Sequence, residues 1–318
     1  MKRAHLLAAF AAAPLGVRSA GAQEPAYTLR VGTVGNDGNA LAFYAQALGL
    51  FKKHGVDVDI QVMRSGGAAT VISAIVGKAL EAGEADIVNA AAAYEKGIPI
   101  TLLAPSYMFR MGDLTSVIIT AKNSPVRTAK DLNGKTVGVA SLGGVGRMLT
   151  TKWLTDNGAD VSTIKFVELP QVSMAAALTR GAIDAAQSGE PNVTAAGDEI
   201  RILASTYAAV GNQVQATAWV AGAEWVKANP EAAKRFVAAL HDAAVWGDNP
   251  RNHAQSAAIL QKWLPFPEGL AEKMHRAYYG QTFDLAAMQP LLDFAYAQKS
   301  LASRVLARDL ISPVALVR

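Results

Sequence analysis

The chain contains no cysteine. That excludes a disulfide framework, thiolate metal ligation and a lipid-anchored cysteine at a processing site. Long apolar runs are missing too, since no segment approaches the roughly 20 residues needed to cross a bilayer. Like charges never gather into blocks of five or six, so the footprint of a nucleic-acid-binding surface is absent. Histidine is scarce. Beyond the N-terminus only His54, His241, His253 and His275 remain, with no His-x-x-x-His spacing to hold a metal. There is no Gly-x-Ser-x-Gly elbow for a serine hydrolase. Gly143-Gly144-Val145-Gly146 is neither a Walker loop nor a Gly-x-Gly-x-x-Gly fingerprint. No cofactor and no catalytic pair stand out.

What is present begins with an address. Lys2 and Arg3 precede a short apolar run from Leu6 to Ala13, and Ala20-Gly21-Ala22 offers a small-residue cleavage site. Residues 1–22 are read as an export signal, which makes the mature chain a soluble periplasmic protein. The sequence pI of 9.2 owes much to that leader. It holds Lys2, Arg3 and Arg18 and no acid, so 27 of the 30 basic residues remain against 26 acidic ones.

The mature chain alternates strand and helix patterns. Tyr27–Val34 reads as a strand and Gly35–Asn39 as a turn-rich loop. Leu41, Tyr44, Leu48 and Phe51 fall at helical spacing up to His54-Gly55. Val56–Met63 alternates as a strand. Ser65-Gly66-Gly67 opens a helix with Ile72, Ile75, Val76 and Leu80 as its stripe, and Gly83–Val88 reads as a turn into a buried strand. The plan recurs with a strand at Thr136–Ala140, a helix through Met148, Leu149 and Trp153, a strand at Ile164–Leu169 and a helix at Met174–Leu178. Arg180–Ala185 is matched to Gly83–Val88. Such βαβαβ order predicts two α/β lobes, each with a mostly parallel sheet.

Ile98–Ser106 with Thr115–Thr120, and later Val214–Val220, read as extended segments that cross between the lobes. Asn229-Pro230-Glu231 signals a helix start with an Asn cap, and the pattern from there on is helical. The expected division is 23–114 with 218–318 as lobe 1 and 115–217 as lobe 2. Two crossings imply a hinge and a cleft that closes.

Phe43–Phe51, Gly83–Val88, Asp131–Val139, Ala176–Pro191 and Asn229-Pro230-Glu231, in that order and spacing, resemble the substrate-binding proteins of ABC importers. The branch is the sulfonate/nitrate/taurine and thiamine-pyrimidine one, the NMT1/THI5-like type. The resemblance implies a type II periplasmic-binding-protein-like fold, two α/β lobes joined by two hinge segments. It also implies a solute held between the lobes and passed to a permease driven by a cytoplasmic ATPase, with membrane contact only through that permease. The protein is taken as a monomer. The cysteine-rich segment of the pyrimidine-synthesising members is missing, which counts against that chemistry and leaves pyrimidine binding open.

Carried over by position, the ligand contacts are Asn36, Asp37, Gly38 and Asn39, then Ser65, Gly66, Gly67 and Asn89. In the second half they are Ser141, Leu142, Gly143, Gly144, Gln171, Ser173 and Glu190. The rule that ligands lie outside the carboxyl ends of strands reaches the same loops. Ser65–Gly67 and Ser141–Gly144 each begin a predicted helix, where hydroxyl, free N–H groups and helix dipole favour an anion; a tight capped turn is the plainer reading. Arg64 is either a partner for an acidic head group or a solvated strand-end arginine. Asp37 and Glu190 are acceptors for a ligand amine or bridges between lobes, with an Asx turn as the alternative for Asp37. Tyr44, Tyr94, Tyr107 and Trp219 are the candidates to stack on an aromatic ligand; Tyr107, near the first crossing, ranks first among them, Tyr44 on the helical stripe reads as core, and Trp225 and Trp246 are expected to pack helices. A small anion such as a sulfonate leads as ligand, followed by a pyrimidine-like or aromatic acid. A periplasmic enzyme or a sensor subunit on the same scaffold are the readings from other classes.

Overall fold

The computed structural model describes residues 28–63 and 67–316. The expectations for residues 1–22, Tyr27, Arg64, Ser65 and Gly66 lie outside the described residues.

Two five-stranded sheets organise the chain. The first runs β2-β1-β3-β12-β4, from β1 (Thr28–Thr33), β2 (Asp57–Val62), β3 (Ala82–Asp86), β4 (Ile100–Pro105) and, much later, β12 (Thr217–Gly222). A short ribbon pairs β5 (Met108–Arg110) with β11 (Gln213–Gln215). The second sheet runs β10-β6-β9-β7-β8, from β6 (Val117–Ala121), β7 (Thr136–Val139), β8 (Lys165–Glu168), β9 (Ala185–Ser188) and β10 (Ile200–Ser205). In each sheet four strands run the same way and one, β12 in the first and β6 in the second, is antiparallel to both of its neighbours. The chain therefore has the two-lobe α/β architecture of type II binding proteins.

The first sheet sits in a single large core that takes in Leu29, Val31, Phe43, Phe236, Leu240 and Leu291. The second is covered on both faces. Val117 and Ile119 look into one cluster with Met174 and Leu178, while Ile118 looks into the other with Leu132 and Leu154. Alternate residues of one strand feeding two cores is what a strand buried on both faces requires.

The internal repeat is real, but its register differs from the expected one. Val31 pairs with Ala82 in the first sheet as Val137 pairs with Ala185 in the second. Glu81 and Asp184 each accept a hydrogen bond from a first-strand amide, from Arg30 N at 2.7 Å and Thr136 N at 2.9 Å. The counterpart of Gly181–Ala185 is thus Lys78–Ala82, not Gly83–Val88. Lys78 adopts the left-handed φ of 59° where Gly181 has 68°, so the expected glycine match pointed to the wrong place. With this register Glu84 of β3 corresponds to Gln187 of β9.

Four further expectations are corrected. Ile87 and Val88 start a helix, Ile87–Glu95, because the Asp86 side chain caps it by accepting from Asn89 N at 2.8 Å. The helix expected through Phe51 breaks into Leu41–Ala47 and Leu50–Lys53 at Gly49, whose φ is 68°. The stretch Val214–Val220 divides at Ala216 into β11 and β12. Pro230 does open the Pro230–Gly247 helix, yet Asn229 does not cap it; its Nδ2 donates to Trp225 O at 3.0 Å instead. Among the described residues no helix is long and apolar enough to cross a membrane.

Candidate functional site

The turns that follow β1, β7, β8 and β9 converge with the two crossings and enclose a cavity of about 280 Å³. Asn36–Asn39, Tyr107 and Thr217 line it from the first sheet. Ser141, Gly144, Gly146, Arg147, Gln171, Gln187 and Glu190 line it from the second, and Thr115, Ser116 and Tyr207 from the crossings.

Asn36 shapes the first turn by accepting from Asn39 N at 3.1 Å. Asp37 faces the other way. Its carboxylate accepts from Arg276 Nη2 at 2.7 Å and Nε at 3.1 Å, from Tyr44 OH at 3.2 Å and Tyr279 OH at 3.3 Å, and from the Ala277 amide. Burial pulls the Arg276 guanidinium down, but Asp37 and Tyr44 outweigh it and hold the group above the usual arginine range. Burial raises the Tyr44 phenol, and Asp37 raises it further. Asp37 is therefore a buried ion-pair partner whose carboxylate is already engaged by these donors. The Asx-turn role falls to Asn36.

Glu190 is held from both sides. Its Oε2 accepts from Thr194 N at 3.0 Å, and its Oε1 accepts from Thr194 Oγ1 at 2.8 Å and from His275 N at 3.2 Å. His275 to Ala277 is thus one strap that bonds Glu190 beside the second sheet and Asp37 beside the first.

Arg147 is the cationic side chain of the cavity, and the sequence reading missed it. It is the third residue of the helix Val145–Asp156, whose N-cap is Gly144 with no side-chain cap. The early amides of that helix are left free toward the cavity. The Arg147 guanidinium lies 4.8 Å from the Phe166 ring centroid, and its Nε is buried without a hydrogen-bond partner. Gln187 lies beside it and donates to Ser116 Oγ at 3.2 Å. A Cβ on Gly146 would come within 2.5 Å of Gln187 Oε1, so the glycine leaves room for the Gln187 amide in its observed position.

A second chamber of about 490 Å³ adjoins the first and shares Asn36, Gln171 and Glu190 with it. Its walls include Val62, Met63, Gly67, Trp263 and Leu264. Trp263 is fixed by stacking on Phe43, with centroids 4.9 Å apart. The cleft therefore pairs an inner chamber that holds Arg147 with an outer one walled in part by Val62, Met63, Trp263 and Leu264.

Of the sequence candidates, Asn36, Asp37, Gly38, Asn39, Tyr107, Ser141, Gly144, Gln171 and Glu190 come together around the inner chamber, and Gly67 borders the outer one. Asn89, Leu142, Gly143 and Ser173 line neither. Asn89 Nδ2 is committed to Asp86 at 2.6 Å, and the Leu142 amide is committed to Glu168 at 3.0 Å. Tyr107 is buried, its hydroxyl bonded to Thr115; burial and then Asp113 push its phenol well above the usual range. Trp219 and Tyr44 are core residues. Among the described residues no group of three or more acids and histidines is placed to hold a metal ion.

The family model described as NMT1/THI5 like matches residues 37–251. A search of curated protein sequences gave no match. The fold is similar to that of the periplasmic aliphatic sulphonate-binding protein SsuA from Escherichia coli, with a TM-score of 0.74, 19% identity and coverage of 89% of this chain and 97% of that one. It is also similar to the alkanesulfonate-binding protein SsuA from Xanthomonas axonopodis pv. citri bound to MOPS, with a TM-score of 0.71, 20% identity and coverage of 92% and 99%. The periplasmic nitrate-binding protein NrtA from Synechocystis PCC 6803 matches with a TM-score of 0.62, 20% identity and coverage of 77% and 68%.

Proposed function

The chain belongs to the NMT1/THI5-like family, and we propose that it is the solute-binding component of an ABC importer that captures a small organic anion. The observation that carries this reading is Arg147, a cation in the cleft whose Nε is buried without a partner. A buried donor left unpaired costs on the order of 1–3 kcal/mol, more for a charged group. A sulfonate or carboxylate placed against it would meet Arg147, the Gln187 amide and the free amides after Gly144 together. The outer chamber beside Trp263 suits the organic remainder of such a molecule. The sulfonate named for the similar proteins supports the same head group.

In this proposal residues 1–22 direct export to the periplasm, and lobes formed by 23–114 with 218–318 and by 115–217 close on the solute. Closure tells the permease and its ATPase that the protein is loaded, because ligand favours the form in which it makes more contacts. The ligand leaves unchanged, with no catalytic step. A second reading, a pyrimidine-like or aromatic ligand, is favoured by one feature: Tyr107 and Tyr207 both line the inner chamber, edge to face at 6.1 Å.

A thermal-shift panel of sulfonates, nitrate, aromatic acids, amino acids and pyrimidines on the mature chain tests both. A ligand at about 1,000 times its Kd should add roughly 4 kcal/mol. A shift with sulfonates supports the first reading and a shift with pyrimidines the second. No shift with any compound contradicts the receptor role.

A further inference from the structure

Beneath the Asn36–Asn39 turn lies a buried acid that ligand contact does not explain. Glu84, on β3, is 1% exposed. Its Oε2 is bonded to Thr33 Oγ1 and its Oε1 to Ser106 Oγ. The same two hydroxyls also lie against the turn, Thr33 Oγ1 2.9 Å from Asn39 O and Ser106 Oγ 3.2 Å from Gly38 O.

The hydrogens decide the state of the acid. Each hydroxyl carries one hydrogen. If Glu84 is ionised, both hydrogens are drawn to the carboxylate, and the Gly38 and Asn39 carbonyls face hydroxyl lone pairs. If Glu84 is neutral, its own O–H donates to one hydroxyl, which frees that hydroxyl's hydrogen for a carbonyl of the turn. We infer that Glu84 is a positioning residue whose proton frees one hydroxyl at a time, Ser106 or Thr33, to hold the Gly38 or the Asn39 carbonyl at the floor of the cleft, so that solute capture weakens as this acid ionises.

The ionisable groups around it are already partnered. Burial pushes the Glu84 carboxyl up to about 7 against the bonds from Ser106, Thr33 and Asn39. Across the ladder on β12 its neighbour is Trp219. The Gly67–Val76 helix that packs on β3 has no titratable residue. Asp37 in the turn is bonded to Arg276, and Asp86, on the same face of β3, is bonded to Asn89. The repeat adds an independent support: the second lobe carries Gln187, which cannot ionise, at the position corresponding to Glu84.

The inference rests on the proposed solute role of the cleft, but its test does not. Amide ¹⁵N shifts of Asn39 and Ala40, whose peptide carbonyls are Gly38 O and Asn39 O, are followed without ligand across neutral pH. In the native chain they should titrate together near the Glu84 value of about 7, and in Glu84→Gln they should stay flat. Ser106→Ala should abolish the Asn39 titration and leave that of Ala40. Methanesulfonate affinity should fall about tenfold from slightly acid to slightly alkaline pH in the native chain and not in Glu84→Gln, as linkage to one titrating group requires. Amide signals that do not move, or that move equally in Glu84→Gln, overturn the role of Glu84. Failure of methanesulfonate to bind at any pH contradicts the solute reading instead, and the amide titration still decides Glu84.

Discussion

Arg276 Nη2 lies 2.7 Å from Asp37 Oδ1, with the Asp37 side chain 1% exposed and that of Arg276 15% exposed. The pair joins the first cleft turn to a segment 239 residues later, and so fixes the turn from behind. Removing one partner of a buried pair leaves the other charge uncompensated. Asp37→Ala should therefore cost about 3–5 kcal/mol in urea unfolding. A variant with native stability and lost ligand affinity would instead make Asp37 a ligand contact.

Glu190 and His275 N–H form the hydrogen bond that links the two sides of the cleft through the same strap. Bonds to a charged acceptor contribute about 1.5–3 kcal/mol, so Glu190→Ala should weaken solute binding by about tenfold or more. Small-angle scattering should show a more open mean shape for the variant in the presence of solute. Unchanged scattering and affinity would mean that Glu190 only caps Thr194.

Stability should fall between acid and neutral pH. Glu84 and Asp248 are both raised to about 7, chiefly by burial. An acid with a raised pKa in the folded chain binds its proton more tightly there than when unfolded. Its stabilisation is complete below the unfolded value near 4 and is lost as pH rises through about 7. Glu84→Gln should flatten this decline by on the order of 3 kcal/mol between pH 5 and 8. An identical pH profile for the variant would show that Glu84 does not titrate in this range.

Gly146→Val should turn the Gln187 side chain aside and break its bond to Ser116 Oγ, because its Cβ would sit 2.5 Å from Gln187 Oε1. Overpacking of a buried side chain costs up to about 1–3 kcal/mol. Solute affinity should fall with it, since the Gln187 amide leaves its place in the inner chamber. Native affinity in this variant would remove Gln187 from the site.

The strands and the cleft turns were legible because each follows from a local pattern: alternation for β2, a glycine-rich turn after β1 and after β7. What the sequence concealed was direction and long-range pairing. The sequence pattern of the Val145–Asp156 helix marks Met148, Leu149 and Trp153 and says nothing of Arg147. Its position in the first turn after Gly144, where side chains lean back toward the N-terminus, was the available signal. Gln187 required the true register of the repeat, and the Gly181 match hid it because Lys78 takes the left-handed conformation without being glycine. Nothing local marks Arg276 or His275 as partners of Asp37 and Glu190. Their roles arise only when the C-terminal strap folds back onto the cleft.

The central claim is that Arg147 holds the anionic head of a solute in the inner chamber. Calorimetric titration of the mature chain and of Arg147→Ala with methanesulfonate and longer alkanesulfonates tests it most directly. The native chain should bind, and the variant should lose about 10- to 100-fold in affinity, as expected for a charged hydrogen-bond donor, with little change in its unfolding midpoint without ligand. Equal affinity in the two proteins, or no binding of any anion to the native chain, would contradict the claim.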